Sequence, residues 1–121
     1  MGGNMTDLVA MLSTGKGTWG HVGRLIADGE WDKIYLITND FGREKFTAEK
    51  ESTFIVVDSR QPMEDLISDI KKELKDKISG EVALNITSGS GKEHMALLSV
   101  LMQCGVGFRF VALTKEGIKE V

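Results

Sequence analysis

Cysteine is almost missing from this chain. Cys104 is the only one among 121 residues, so no disulfide can close within it, and a scaffold stapled by sulfur is excluded. A lone thiol fits a reducing cytoplasm, which is the expected location. Its place just after the apolar run Met95–Met102 reads as a buried structural thiol. Histidine is nearly as scarce, with His21 and His94 alone. With one cysteine and neither HExxH nor CxxC, the chain offers no spacing for a metal site, and no metal or other cofactor is expected. Long hydrophobic runs are absent: nothing approaches the roughly 18–20 apolar residues that span a bilayer. The first residues, through Asp7, are short and polar and lack the shape of a signal peptide. There is no internal repeat and no low-complexity tract. Charge of a single sign is also lacking. Fifteen Lys and Arg stand against 18 Asp and Glu, a formal net charge of -3, so no global field points to DNA or RNA and no direct DNA binding is expected. A local basic site inside this acidic envelope remains open.

What is present has the composition of one globular domain, 41% hydrophobic and 27% charged, and residues 1–121 are read as a single domain. Five short apolar runs stop at polar turns: Leu8–Leu12, Ile34–Thr38, Phe54–Val57, Val82–Ile86 and Phe108–Leu113. Nearly continuous apolarity over about five residues marks strands covered on both faces, as in parallel sheets. Helical patterns lie between them. His21–Ala27 follows the first run. Met63–Ile78 follows Pro62 and carries Leu66, Ile67, Ile70 and Leu74 at helical spacing. The charged run Lys71–Lys77 reads as its solvated face. Lys92–Cys104 is apolar almost all round and meets Gly105 as a C-cap. Phe41–Glu51 is charged and fits a short helix or a loop. Strands alternating with helices imply an α/β, Rossmann-like three-layer sandwich. We expect a five-stranded, mainly parallel sheet in the order 3-2-1-4-5. Chain direction then reverses between strands 1 and 4, where open α/β sheets bind ligands.

The two loops at that point are the most glycine-rich in the chain. The first is Ser13-Thr14-Gly15-Lys16-Gly17-Thr18-Trp19-Gly20-His21. The second is Thr87-Ser88-Gly89-Ser90-Gly91-Lys92-Glu93-His94. Each follows a strand, opens a helix, and offers glycines, hydroxyls, one lysine and one histidine. Glycine lets backbone approach a ligand, N–H groups at a helix start favour an anion, and lysine adds a point charge. Side by side they would form a locally positive pocket. The same residues also suit plain βα turns. The two histidines also fit the surface of a helix start. Trp19 fits either the core or a stacked base.

The first loop also contains Gly15-x-Gly17-x-x-Gly20, with Asp40 where a ribose-binding acid would stand. This favours an alternative, an NAD(P)- or mononucleotide-binding protein, but leaves the second loop unexplained. Gly91-Lys92 lacks a glycine at Ile86 and is followed by Glu93, so a P-loop ATPase or GTPase is discounted. Ser88-Gly89-Ser90-Gly91 only superficially resembles a nucleophile elbow.

At these loops the chain resembles the CRISPR-associated Rossmann-fold (CARF) domains, sensors of cyclic oligoadenylates. Those domains share this strand-helix order and carry a small hydroxyl-rich loop after strand 1, here Ser13-Thr14-Gly15. After strand 4 they carry an Asn-x-Thr-Gly-Gly-Thr-Lys/Arg-like loop leading into an apolar helix. Here it reads Asn85-Ile86-Thr87-Ser88-Gly89-Ser90-Gly91-Lys92, then Met95-Ala96-Leu97-Leu98. Gly89-Ser90-Gly91 replaces the two adjacent glycines, which offsets the lysine. The resemblance implies binding of a cyclic oligoadenylate or another nucleotide in antiviral signalling, by a homodimer whose two-fold axis matches the ring. It also implies slow, metal-independent ring cleavage as a candidate activity, in which the protein aligns a ribose 2′-hydroxyl behind the next phosphorus. Lys16 and Lys92 would then hold phosphates. Ser13, Thr14, Thr87, Ser88 and Ser90, with the N–H groups of Gly89 and Gly91, would bond phosphate or ribose. Gly15, Gly17 and Thr18 would line the pocket, Trp19 would stack a base, and His21 or His94 would act as acid or base.

Overall fold

The computed structural model describes residues 6–13 and 15–121. Within them run β1 (Thr6–Met11), a 3-10 turn (Lys16–Thr18), α1 (Trp19–Asp28), β2 (Trp31–Thr38), α2 (Asp40–Lys45) and β3 (Thr53–Val56). Then follow α3 (Met63–Leu74), β4 (Glu81–Asn85), α4 (Gly91–Gln103), β5 (Gly107–Thr114) and β6 (Gly117–Glu120). One sheet carries the order β3-β2-β1-β4-β5-β6. The pairs among the first five strands are parallel, and β6 returns antiparallel on β5. The fold class and the order of the first five strands are as the sequence implied.

The continuous apolar runs arise because successive side chains of a strand point to opposite faces. Val9 and Met11 enter one core, with Tyr35, Ile37, Val82 and Leu84, under α3 and α4. Leu8, Ala10 and Leu12 enter the other, with Ile34, Leu36 and Ala83, against α1 and Phe46. Both faces are therefore dry, and polar alternation would bury unpaired groups.

Three elements differ from the sequence reading. The sixth strand is new: Ile118 is its only apolar residue, so Lys119 and Glu120 carry no strand signal. A hairpin makes it, closed by Thr114 Oγ1 donating to the Gly117 carbonyl at 2.8 Å. Gly117 has a φ of 102°, which favours glycine. The charged Phe41–Glu51 segment resolves into α2 and a loop, and Asn39 Oδ1 caps α2 by accepting from Gly42 N at 2.9 Å. Helix α3 stops at Leu74 rather than Ile78, although Ile78 is still buried. The expected glycine stop of α4 is a Schellman motif. Gly105 N donates to Met102 O at 3.1 Å and Val106 N to Leu101 O at 3.0 Å, with Gly105 at φ 69°. Cys104 is half-buried against the core beside it.

Leu84 lies wholly buried on β4, between β1 and β5. Leu84→Ala should lower the unfolding free energy by about 2–5 kcal/mol in urea titration, because the central strand cannot collapse into the void.

Candidate functional site

Strands β1 and β4 are neighbours in register, Ala10 beside Asn85, so their loops leave the same end of the sheet together. A direct bond joins them: Ser13 N donates to Ser88 Oγ at 2.7 Å. Between them opens a cleft of about 310 Å³. The first loop lines it with Ser13, Gly15, Gly17 and Thr18, and the second with Thr87, Ser88 and Gly89. Seven of the sequence-predicted ligand residues thus share one cavity. Thr14 lies outside the described residues.

The first loop's glycines are required by nothing in the protein itself. Gly15, Gly17 and Gly20 have no positive φ, and a Cβ added to any of them meets nothing within 4 Å. The absent side chains of Gly15 and Gly17, which line the cleft, leave its mouth open. The third glycine of a dinucleotide fingerprint serves close helix-strand packing, and Gly20 has no such neighbour. The N–H groups of Lys16 and Gly17 open the 3-10 turn and have no acceptor within it. Helix α1, which follows directly, has no acidic residue in its first turn, so this end of the cleft suits an anion.

The second loop is built differently. Gly89 has a φ of 109°, and a Cβ there would stand 2.6 Å from Met11 Cγ, so glycine is obligatory. Ser90 caps α4: its Oγ accepts from Glu93 N at 3.2 Å, while Glu93 Oε1 accepts from Ser90 N at 2.8 Å. This capping box places a carboxylate at the start of α4, where a phosphate would otherwise sit. Gly91 and Lys92 begin the helix outside the cleft lining. Lys92 turns away, and its Nζ donates to the Gln61 carbonyl at 2.5 Å.

Asn85 ends β4 with its side chain buried, and two backbone groups fix its amide. Nδ2 donates to Val111 O at 2.8 Å, and Oδ1 accepts from Thr87 N at 3.3 Å. Nδ2 also donates to Thr87 Oγ1 at 3.1 Å. His21 joins this cluster. Its Nε2 accepts from Leu113 N at 3.1 Å, and a backbone N–H can only donate, so Nε2 carries the lone pair and Nδ1 the proton. Thr87 Oγ1 lies 3.3 Å from the same nitrogen. Burial lowers the His21 pKa from its ordinary 6.5. His94 has the opposite arrangement, with Nε2 donating to Ser88 O at 2.8 Å. Both histidines therefore brace the second loop.

Trp19 is half-buried. Its Nε1 donates to Ser13 O at 2.7 Å, and its ring packs on Phe41 and Phe46 with centroids 5.9 and 5.6 Å away. The Lys16 ammonium rests 5.9 Å from the Trp19 ring and 5.4 Å from that of Phe41. Both residues flank the cleft outside its lining. A larger cleft, about 600 Å³, lies at the ends of β2 and β3 and includes Asp40, Asp58, Arg60 and Asp69. Asp40 there pairs with Arg43 at 3.1 Å. A hydrogen bond from Arg60 holds the Asp58 carboxyl below its ordinary pKa. Three carboxylates against one guanidinium disfavour a phosphate.

Sequence reasoning quoted Asn85 but gave it no role. An amide inside the apolar run Val82–Ile86 was the available signal, since a buried polar group must be bonded. No protein-family model matches the chain, and no curated protein matches it significantly. No helix among the described residues is long and apolar enough to cross a membrane.

Burial disfavours the charged form of His21 in the folded chain, while in the unfolded chain His21 titrates at the ordinary value. Its contribution to stability is therefore complete above pH 6.5 and is lost as pH falls through that value toward the lowered folded pKa. The urea unfolding free energy should fall between about pH 7.5 and about pH 5.5 more steeply for the parent chain than for His21→Gln, which cannot titrate.

Proposed function

We propose that this chain binds a phosphate-bearing nucleotide in the cleft between the β1 and β4 loops, with a cyclic oligoadenylate as the ligand in antiviral signalling. The observation that carries the reading is the pair of first-loop glycines in the cleft lining, Gly15 and Gly17. Neither backbone conformation nor packing demands glycine there, and a ligand pressed onto the 3-10 turn does. The adjoining N–H groups supply donors to a phosphate without a carboxylate beside them. Lys16 at the rim adds a cation. The binding reading is favoured over ring cleavage because Nε2 of each histidine is engaged within the protein. Lys92, in its present rotamer, also points elsewhere. A cytoplasmic setting accords with the lone Cys104.

Thermal-shift measurements with cyclic tetra- and hexa-adenylate, ATP, NAD and NADP test this reading. A shift with a cyclic oligoadenylate is expected. Gly17→Val should leave the unliganded midpoint within a degree or two yet weaken binding roughly tenfold or more, the cost of losing charged hydrogen bonds. A shift with NAD alone, abolished by Asp40→Ala, would instead establish the dinucleotide alternative.

A ring of two-fold symmetry calls for two copies of the cleft, and the homodimer belongs to the same proposal. Helix α4 carries a candidate contact. Met95 and Met102, seven residues apart on one face, are 61% and 70% exposed. No charged residue occurs between Glu93 and Arg109. An uncharged stripe can pack on its own symmetry copy without buried charge. Sedimentation should show a dimer at micromolar concentration and a monomer for the double change Met95→Glu and Met102→Glu. A parent chain that is monomeric with and without ring ligand would overturn the dimer.

A further inference from the structure

Acids outnumber bases in this chain, 18 to 15, and Arg24, Arg43, Arg60 and Arg109 each pair with a carboxylate. Lys16 forms no ion pair among the described residues. Its ammonium rests instead over two aromatic rings, 5.9 Å from the centroid of Trp19 and 5.4 Å from that of Phe41. Both distances fall within the roughly 6 Å at which a ring face attracts a cation. Each ring has its own anchor. Trp19 Nε1 donates to Ser13 O at 2.7 Å, which ties the indole to a residue of the cleft lining, and Phe46 packs on it edge-on. Phe41 stands in the first turn of α2, capped by Asn39, with its centroid 5.9 Å from that of Trp19. Phe41 is 37% exposed and belongs to neither core, so burial does not account for an aromatic side chain there. Asp40, the acid beside it, is engaged by Arg43 at 3.1 Å. The difference from a salt bridge is chemical. A carboxylate would compete with a phosphate for the ammonium N–H groups, whereas a ring face attracts the charge without accepting those hydrogens as an oxygen does.

We propose that Phe41 is a positioning residue: with Trp19 it holds the Lys16 ammonium at the rim of the cleft, its N–H groups available to a phosphate oxygen of the ligand. The inference rests on the nucleotide reading above and deepens it. Phosphate recognition then depends on a ring supplied by α2, outside both glycine-rich loops. Phe41 acts through Lys16 and does not itself touch the phosphate.

Calorimetric titration with cyclic tetra-adenylate, and with ATP as a second phosphate-bearing probe, tests the assignment. Phe41→Leu keeps an apolar side chain and removes the ring face. It should weaken binding about twofold to fivefold, the worth of one cation–π contact at an exposed site, and leave the unliganded melting midpoint within a degree or two. Phe41→Tyr keeps the ring and should bind as the parent chain does. In a chain already carrying Lys16→Met, Phe41→Leu should cost nothing further, because the two side chains act as one unit. Parent-like affinity in Phe41→Leu would overturn the assignment while leaving nucleotide binding intact. The same loss from Phe41→Leu with and without Lys16 would overturn it too, because the ring would then act otherwise than through the cation. So would a loss in Phe41→Tyr equal to that in Phe41→Leu. Binding of neither probe by the parent chain would remove the nucleotide reading and this inference with it.

Discussion

The buried Asn85 amide is the constraint on which the cleft depends. It is 2% exposed and sits at the last position of β4, where the sheet ends and the loop begins. One amide hydrogen holds the neighbouring strand through Val111, the other reaches the loop through Thr87, and the oxygen returns to the Thr87 backbone. Replacing it by an apolar residue would strand buried backbone groups, each costing about 1–3 kcal/mol. Three polar residues are buried among the described ones: Thr38, Asn85 and Ser88. All stand at or just beyond the carboxyl ends of strands. The rest of the sheet interior is apolar, and the hydrogen bonds of Asn85 and Ser88 lie where ligands enter an open α/β fold.

The chain reconciles an acidic surface with an anion-compatible site by dividing labour between its two loops. Most polar groups of the second loop are engaged within the protein. Ser90, His94 and the Glu93 carboxylate bond within the loop or to α4, and Ser88 accepts from Ser13 N of the first loop. The second loop is a rigid wall, and the added carboxylate removes the attraction that the α4 start would exert on a phosphate. The first loop is the reverse. It has glycines without packing partners, a 3-10 turn with open N–H groups, and a helix free of acid in its first turn. Donors fixed in backbone need no reorganisation to meet an anion, unlike a flexible lysine. The loops look alike in composition, yet they differ in what remains available.

Much of the fold was legible because burial on both faces writes itself into consecutive residues. Leu8–Leu12 and Val82–Ile86 alternate between two cores, so each is apolar without a break. The glycine that ends α4 was legible for a local reason, since its bonds run back only a few residues. The edge strand Gly117–Glu120 was not legible. Its partner β5 supplies the pairing, and an exposed edge needs few apolar residues. The capping box was legible as Ser90-x-x-Glu93, but the loop's likeness to a phosphate cradle obscured it.

The sequence by itself determined the class of fold, the order of elements, and the two glycine-rich loops that would converge, because these follow from local periodicity and from the handedness of chain connections. Only the tertiary structure decided which groups in those loops remain free. His21 is fixed as an acceptor by Leu113, 92 positions away, and Lys92 is drawn to Gln61, 31 positions away. A hydrogen bond spends a donor or an acceptor once. Which partner takes it depends on distances across the folded sheet that no local pattern of residues encodes.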